Sequence, residues 1–184
     1  MREPRTSEAR NRLLATATRI FYAEGIHSVG IDRIVAEAQI TRATLYRHFP
    51  GKEDLVVAYL TEVDQAIRAQ VDKVAAAGLP PVEAARAIAR GIADDIRSPG
   101  FRGCAFLNAA TEYPDPAHPV HRVVMAHRRW FADTVAELLA EPAASRFVLL
   151  RDGAMASGCL TEPAAVGETF LLGVEALLRD QDRP

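Results

Sequence analysis

The chain of 184 residues is long enough for one domain of ordinary size, or for a small domain fused to a larger one. Because 49% of the residues are hydrophobic and 25% are charged, the chain can bury a core, and global disorder is excluded. The net charge of −2 hides an asymmetry, since residues 1–55 hold nine basic against seven acidic side chains. An excess of basic residues in the first part of the chain, with an excess of acidic residues in the rest, favours a polyanion partner at one end.

The cysteines and the start of the chain indicate the cellular compartment. Neither Cys104 nor Cys159 belongs to a CxxC pair or to a metal-ligand spacing, so we expect two reduced thiols in a cytoplasmic protein. The sequence has no apolar run of about 18 residues, and its start lacks the apolar segment of a secretion signal. We therefore expect a soluble protein without a membrane partner.

The hydrophobic pattern predicts an all-α protein, because no stretch alternates with the period of two that a half-buried strand requires. Nine helical segments are predicted, near residues 7–24, 31–38, 42–49, 52–77, 82–96, 101–112, 120–141, 143–160 and 163–179. The segments before residue 50 are short and basic on their exposed faces, whereas the later ones are long. We therefore predict a head at residues 1–50 and a helical body at residues 51–184.

The segment 41–55, "TRATLYRHFPGKEDL", combines basic and aromatic residues. On a helical wheel Leu45 and Phe49 form a buried edge. The opposite edge, without a carboxylate, is formed by Ala43, Thr44, Arg47 and His48. Thr41 is a good N-cap, and another short amphipathic helix precedes the segment. This pattern predicts a helix-turn-helix whose second helix lies in the DNA major groove.

The residue types suit DNA chemically. Arginine can bond a guanine edge through two hydrogen bonds, threonine can contact bases or phosphates, and the small Ala43 permits close approach. Lys52 and the backbone N–H groups at the start of the fourth helix offer a phosphate site. A basic surface helix without a DNA role remains an alternative on periodicity alone, because short basic amphipathic helices are common.

The stretch 21–55 resembles the DNA-binding head of the TetR/AcrR family of bacterial transcriptional regulators. The matching residues are Phe21, Gly25, Ile31, Ile34, Ala38, Ile40, Thr41, Thr44, Leu45, Tyr46, His48, Phe49, Lys52, Glu53 and Leu55. The resemblance covers about residues 8–56, and in the body it extends only to the number and length of the helices. It implies a homodimer of all-α subunits, each with a three-helix head and a helical-bundle body, whose paired heads bind a palindromic operator.

The resemblance also implies roles for individual residues of the head. The implied phosphate contacts are Thr44, Tyr46, His48 and Lys52. The implied base contacts are Arg42, Ala43 and Arg47. Two departures from the family pattern stand out. Gln39 occupies the turn position where the family usually has glycine, and a positive φ there is unfavourable for glutamine. Val29 replaces a threonine that often contacts phosphate, and Ser28 is the candidate substitute.

In the family the body binds a small molecule, and binding moves the heads. The predicted ligand residues are Tyr59, Val63, Phe101, Cys104, Asn108, Glu112, Val124, His127 and Phe131. They rest on two helical patterns: a polar stripe through Cys104, Asn108 and Glu112, and an apolar face that includes His127. The alternatives are that His127 is a core histidine with a bonded neighbour, and that Asn108 and Glu112 bond the adjacent proline-rich loop.

The last two helices are predicted to form the dimer interface. The predicted interface residues are Phe147, Leu150, Ala154, Ser157, Phe170, Val174 and Leu177. Two such helices from each subunit would make an isologous four-helix bundle. The alternative is that these helices only close the core of the monomer.

The combined hypothesis is a dimeric, ligand-responsive DNA-binding repressor without cofactor or metal, whose partners are an operator duplex and a small, largely apolar effector. A metal site is disfavoured because His121 and His127 diverge by about 120° on one helix. Catalysis by Cys104 lacks an orienting third group. A thiol-based redox response through Cys104 and a helical binding protein without DNA activity remain as alternatives.

Overall fold

The computed structural model describes residues 4–181, with side chains from residue 8 to residue 179. Over this range the chain forms nine α-helices and no strand, which confirms the all-α prediction. The helices are α1 (Pro4–Glu24), α2 (Ile31–Glu37), α3 (Arg42–His48), α4 (Lys52–Ala76), α5 (Pro81–Arg97), α6 (Ala105–Glu112), α7 (Pro119–Leu138), α8 (Ala143–Ser157) and α9 (Pro163–Gln181). None of the described helices is long and apolar enough to cross a membrane.

The head packs α1, α2 and α3 around one apolar cluster. Leu13 and Ile20 of α1, Ile34 of α2 and Leu45 of α3 are all fully buried there. Thr41 caps α3, because its hydroxyl accepts the backbone N–H of Thr44 at 3.1 Å. The apolar spacing read from the sequence thus sets which edge of α3 packs inward and which edge is left to solvent.

The turn between α2 and α3 contains the glutamine that departs from the family pattern. Gln39 has a φ of +52°, the left-handed conformation that favours glycine. The turn is closed by a bond from the Ile40 N–H to the Val35 carbonyl, and the Arg12 Nε donates to the Ala38 carbonyl at 3.0 Å. Hydrogen bonds of the residues on either side of Gln39 therefore hold it in an uncommon conformation and close the turn between α2 and α3.

The body is built on α4, which begins next to the head and is 25 residues long. Helix α4 packs against α7 and α5, α6 packs against α7, α8 packs on α5, α7 and α9, and α9 packs also on α5. Aromatic rings connect α7, α8 and α9, with centroids 6.5 Å apart for Phe131 and Phe147 and 6.2 Å apart for Phe147 and Phe170. Because α4 packs against α1 of the head as well as against α5 and α7, it connects the two units.

Two of the predicted interface residues are core residues. Phe147 and Val174 are 0% and 1% exposed within a single chain, so their assignment to the dimer interface is corrected. The reason is that α8 and α9 each have two apolar stripes, and the larger side chains turn toward α5 and α7. The second stripe faces outward and is left uncovered.

Candidate nucleic-acid interface and body cavities

The outer surface of α3 carries the predicted DNA-contacting side chains. Ala43 and Arg47 are exposed, and Tyr46 is 49% exposed. Arg47 makes no hydrogen bond and no ion pair with any side chain in the described part of the chain. An exposed guanidinium without a partner, beside a small residue on a short helix, is suited to reach a base edge in the major groove.

Arg42, the other predicted arginine base contact, is held by α2. Its Nε donates to the Asp32 carboxylate at 2.7 Å, and this carboxylate raises the pKa of Arg42. Both side chains are well exposed, at 61% and 73%. Because an exposed ion pair of this kind contributes little free energy, Arg42 can exchange Asp32 for DNA at low cost.

The predicted phosphate contacts are less exposed than the helical wheel implies. His48 is half-buried, its Nε2 has no partner, and burial lowers its pKa. Thr44 is half-buried beside Thr41, with the two hydroxyls 3.0 Å apart. Lys52 is also half-buried, with its ammonium 6.0 Å from the centroid of the Phe21 ring, and burial lowers its pKa. The ring of His48 therefore does not stand fully outward.

Ser28 does not stand free as a phosphate contact. Its hydroxyl is bonded to the backbone carbonyls of Glu24 and Gly25, the latter at 3.0 Å, and closes the end of α1. The N-cap of α2 is Gly30, which offers no side-chain bond. Ser28, the candidate substitute for the threonine of the family pattern, thus has its hydroxyl engaged within the head.

Two polar contacts fasten the head to the body. The Glu112 carboxylate at the end of α6 accepts the backbone N–H groups of Ile26, at 2.9 Å, and His27. The Tyr22 hydroxyl of α1 accepts the N–H of Arg102 at 2.9 Å and donates to the Gly103 carbonyl at 3.0 Å. The end of α1 and the turn after it are thus tied to α6 and to the loop before α6.

These contacts correct the predicted polar stripe on α6. The helix begins only at Ala105, so Cys104 stands at its N-cap and faces the interior of the body. Asn108 donates to the Arg102 carbonyl at 2.9 Å, and Glu112 holds the head. The two polar residues line a crevice between α1 and α6 and neither of the two body cavities. The bonds to the proline-rich loop that were the alternative for these two residues are not the ones observed, since their partners lie in the turn after α1 and in the loop before α6.

Two cavities of similar size, both partly open to solvent, lie around Arg151. The head-side cavity, of about 340 Å³, is lined by Thr18, Arg19, Tyr22, Tyr59, Val63, Ile67, Asp95, Ser98, Phe101, Gly103, Cys104, Ala105, Arg151 and Met155. The distal cavity, of about 350 Å³, is lined by Ile67, Gln70, Val71, Lys73, Val74, Ala87, Ile88, Gly91, Ile92, Asp94, Asp95, Phe131, Arg151 and Met155. The two cavities share Ile67, Asp95, Arg151 and Met155, so they meet at one wall.

The predicted ligand residues divide between the cavities and the core. Tyr59, Val63, Phe101 and Cys104 line the head-side cavity, and Phe131 lines the distal cavity. Val124 and His127 line neither of them and are corrected to core residues.

His127 is held as a core histidine by neighbours on other helices. Its Nδ1 lies 2.7 Å from the Asp64 carboxylate of α4, and its ring stacks on Phe106 at 3.6 Å between centroids. Burial lowers the pKa of His127 and outweighs the bond to Asp64, which acts in the opposite direction. The ring thus joins α4 to α7 through its Nδ1, and it lines neither cavity, although its Nε2 has no partner.

Sequence reasoning missed Arg151, which lines both cavities. Its side chain is 5% exposed, and its Nη1 donates to the adjacent Asp152 at 2.8 Å. Its Nη2 lies 3.3 Å from the Cys104 sulfur, and its Nε has no acceptor. The sequence carried a signal, because Arg151 stands four residues after Phe147 and four before Met155, both buried, on one face of α8.

An apolar groove runs along the outer side of α8 and α9. It has a volume of about 800 Å³ and is lined among others by Leu149, Leu150, Gly153, Ala154, Ser157, Val166, Phe170, Gly173 and Leu177. Large apolar side chains lie exposed on these helices and in the turn between them, with Leu149 and Leu172 at 70% and Leu160 at 82%. Among the side chains that the structure describes, no group of three potential ligands is placed to hold a metal ion.

Comparison with known proteins places this geometry in a family. Residues 13–59 match the model of the bacterial regulatory proteins of the tetR family. The HTH-type transcriptional regulator LmrA of Bacillus subtilis is 32% identical over 81 residues, which cover 44% of this chain and 43% of LmrA. The match thus spans less than half the length of this curated relative.

Solved structures extend the likeness to the whole chain. SCO4454, a TetR-family transcriptional regulator from Streptomyces coelicolor, is 65% identical with a TM-score of 0.94, over 96% of this chain and 97% of that one. A TetR transcriptional regulator from Chloroflexus aurantiacus shares the fold at 24% identity, with a TM-score of 0.83 over 98% of each chain.

Proposed function

The chain belongs to the TetR family of transcriptional regulators, and on that premise we propose that it is a repressor, binding a palindromic operator as a homodimer and released by a small, largely apolar effector. Family membership makes it a DNA-binding regulator and not an enzyme. The proposal of a ligand-released repressor rests on the head-side cavity. Its wall includes residues of α1, the helix against which α3 packs.

The proposed DNA contacts follow the exposed edge of α3. Arg42, Ala43 and Arg47 read base edges, because they are the exposed residues at the start and middle of the helix. Tyr46, with half of its side chain exposed, contacts the sugar-phosphate backbone. Thr44, His48 and Lys52 complete the phosphate contacts, since all three are partly exposed and lie on α3 or at the start of α4.

The proposed dimer interface is the outer groove of α8 and α9. Leu149 and Leu172 leave a large apolar surface exposed, which monomeric proteins rarely tolerate. The same groove on a second copy would bury both in a four-helix arrangement with two-fold symmetry. Leu150, Ala154, Ser157, Phe170 and Leu177 of the predicted set belong to this groove or its floor.

The proposed release mechanism uses the ties between head and body. A ligand in the head-side cavity lies against Tyr22, whose hydroxyl joins α1 to the Arg102–Gly103 loop, and against Tyr59 of α4. Occupancy that moves either helix changes the separation of the two heads in the dimer. Ligand binding is coupled to DNA release because the ligand binds more tightly to the form of the dimer in which the separation of the heads does not fit DNA.

Selection of bound sequences from a random duplex pool tests the DNA and dimer parts together. The expected result is an enriched palindrome whose half-sites lie about one helical turn apart or a multiple of it. Enrichment of a single unpaired half-site would contradict the homodimer, and the absence of enrichment would contradict sequence-specific binding.

The redox alternative has one supporting and one opposing observation. The Arg151 guanidinium 3.3 Å from the Cys104 sulfur provides an electropositive setting, but Cys104 is only 5% exposed. A redox regulator would change its DNA affinity with oxidant, and Cys104→Ser would abolish that change. Gel-shift titrations with and without peroxide measure it.

A further inference from the structure

Arg151 is a buried cation whose charge is not fully matched. Its Nη1 bonds the Asp152 carboxylate, but the same carboxylate lies 2.7 Å from the Nη1 of Arg128. One carboxylate therefore serves two guanidinium groups, and the cluster keeps a net positive charge. A buried charge is costly without full pairing, so this site favours a further negative group.

The unmatched part of Arg151 is one edge of its guanidinium. The Nε–H has no acceptor, and the Nη2 has only the Cys104 sulfur at 3.3 Å, which is a weak acceptor. The Nε and Nη2 donors of an arginine point in parallel and match the two oxygens of a carboxylate. The described part of the chain supplies no carboxylate to this edge.

This edge belongs to the residue at which the two body cavities meet. The cavities measure about 340 and 350 Å³, and small-molecule sites begin near about 300 Å³. The Arg151 guanidinium lies 5.2 Å from the centroid of the Phe131 ring, and the walls also include Val63 and Phe101 on the head side and Val74 and Ile88 on the distal side. The shape and lining suit a ligand with an apolar body and one polar group.

Burial singles out Arg151 among the charged residues of the two cavities. Arg19 lines the head-side cavity, Lys73 and Asp94 line the distal cavity, and Asp95 lies at the shared wall with Arg151. Arg19 is paired with Glu37 and Asp94 with Arg97. The four charged residues of the lining other than Arg151 are exposed, whereas Arg151 is buried. The buried charge that faces a ligand is therefore positive and favours an anionic group.

We propose that the effector is a small monocarboxylic acid with an apolar body, whose carboxylate binds the Nε–Nη2 edge of Arg151. This inference rests on the proposed function and names the chemical class of its ligand. The carboxylate replaces the weak contact between Arg151 and Cys104. Cys104 is next to Gly103, whose carbonyl accepts a hydrogen bond from the Tyr22 hydroxyl of α1. Loss of the contact between Arg151 and Cys104 therefore acts on a loop that is hydrogen-bonded to α1.

Calorimetric titration of the full chain tests the proposal. The probes are phenylacetate, cinnamate and octanoate, each with its primary amide and the amine of the same skeleton. We expect at least one acid to bind, and its amide to bind about tenfold to a hundredfold more weakly, as for a hydrogen bond to a charged group. In Arg151→Met the acid and its amide should bind equally, whereas the exposed Arg90→Met should keep the preference.

Arg151→Lys is the second variant, because it keeps the positive charge and loses the paired donors. Circular dichroism and thermal unfolding establish that both variants are folded, and we expect the lysine variant to retain only part of the preference for acids. The proposal is overturned if none of the acids binds the wild-type protein. It is also overturned if the amines bind best, which would make Asp95 the anchor, or if both folded variants keep the preference.

Operator release measured in parallel separates this inference from the proposed function. Acids that bind through Arg151 and also release the operator support both the carboxylate site and the proposed ligand-driven release. Acids that bind through Arg151 but leave the operator bound at saturation support the carboxylate site and contradict ligand-driven release. If the neutral amides release the operator and the acids do not, the result supports a ligand-released regulator and overturns the proposal that the effector is an acid.

Discussion

The head and the body of this protein place their functional residues in opposite ways. In the head, the candidate DNA contacts lie within residues 42–52, on one helix and the start of the next, and most of them are accessible. In the body, the cavity around Arg151 is assembled from α1, α4, α5, the loop before α6, and α8. A local, outward-facing site can be read from periodicity, whereas a site built by distant helices depends on how they pack.

The largest expected effect tests whether the body alone brings the heads together. Leu149→Asp places a charge in the outer groove. We expect monomers in analytical ultracentrifugation and an operator affinity lower by about 10²- to 10⁴-fold, because a single head lacks its linked partner. Leu79→Asp, at a residue 42% exposed outside the groove, is the matched control. A Leu149→Asp protein that stays dimeric would contradict the proposed interface.

Arg47→Ala tests whether the exposed edge of α3 carries sequence specificity. The loss of a two-bond contact to a base should lower specific affinity by about tenfold to a hundredfold and relax one position of the operator. Selection from a random duplex pool measures both. Arg33→Ala, on α2 and paired with Glu24, is the control. Unchanged base preference after Arg47→Ala would remove Arg47 from the readout.

Lys52→Ala tests the start of α4 as a phosphate contact. We expect all duplexes to bind more weakly by a similar factor, and the slope of log affinity against log salt to fall by about one. Lys73→Ala, near the other end of the same helix, should leave the slope unchanged. A loss confined to the operator would mean that Lys52 reads bases.

Glu112→Gln tests the fastening between the two units. An amide oxygen accepts hydrogen bonds more weakly than a carboxylate, so the amides of Ile26 and His27 should exchange with solvent about tenfold faster. Hydrogen–deuterium exchange measures this, with the exposed Glu137→Gln as the control. Unchanged exchange at these two amides would show that the contact does not hold the head.

The smallest expected effect is the contribution of one buried histidine of the body to the pH dependence of stability. The pKa of His127 is lowered from its ordinary value of 6.5, so the unfolded chain binds a proton more readily than the folded chain. The stabilisation is present above pH 6.5 and is lost as the pH falls below it toward the folded-state pKa. His127→Gln should reduce the slope of unfolding free energy between about pH 7 and pH 5.

In the His127→Gln variant, His48 still contributes a pH dependence of stability of the same sign, because its pKa is also lowered. Chemical denaturation at several pH values measures the slope. His121→Gln is the control, since its ring bonds the Tyr113 carbonyl outside the core pair. An undiminished slope in His127→Gln would place the proton uptake elsewhere.

The sequence by itself determined the helices and the orientation of α3. Leu45 and Phe49 recur at helical spacing, and Thr41 can cap only a helix that begins directly after it, so local periodicity and capping were sufficient. The segment boundaries were less certain, as α6 shows by beginning at Ala105 after a loop that the apolar pattern had included in the helix.

Only the tertiary structure decided the functions of the polar residues in the body. Glu112, His127 and Arg151 each lie on a helix of the body, yet most of their partners are distant along the chain. The partners of Glu112 lie 86 and 85 residues away, that of His127 lies 63 residues away, and Cys104 lies 47 residues from Arg151. Only Asp152 is a sequence neighbour of the residue it bonds, Arg151. A helical period states which face a side chain occupies, but not which helix covers that face. Charge pairing and burial depend on the covering helix, and for that reason the anchor in the cavity became visible only in the folded chain.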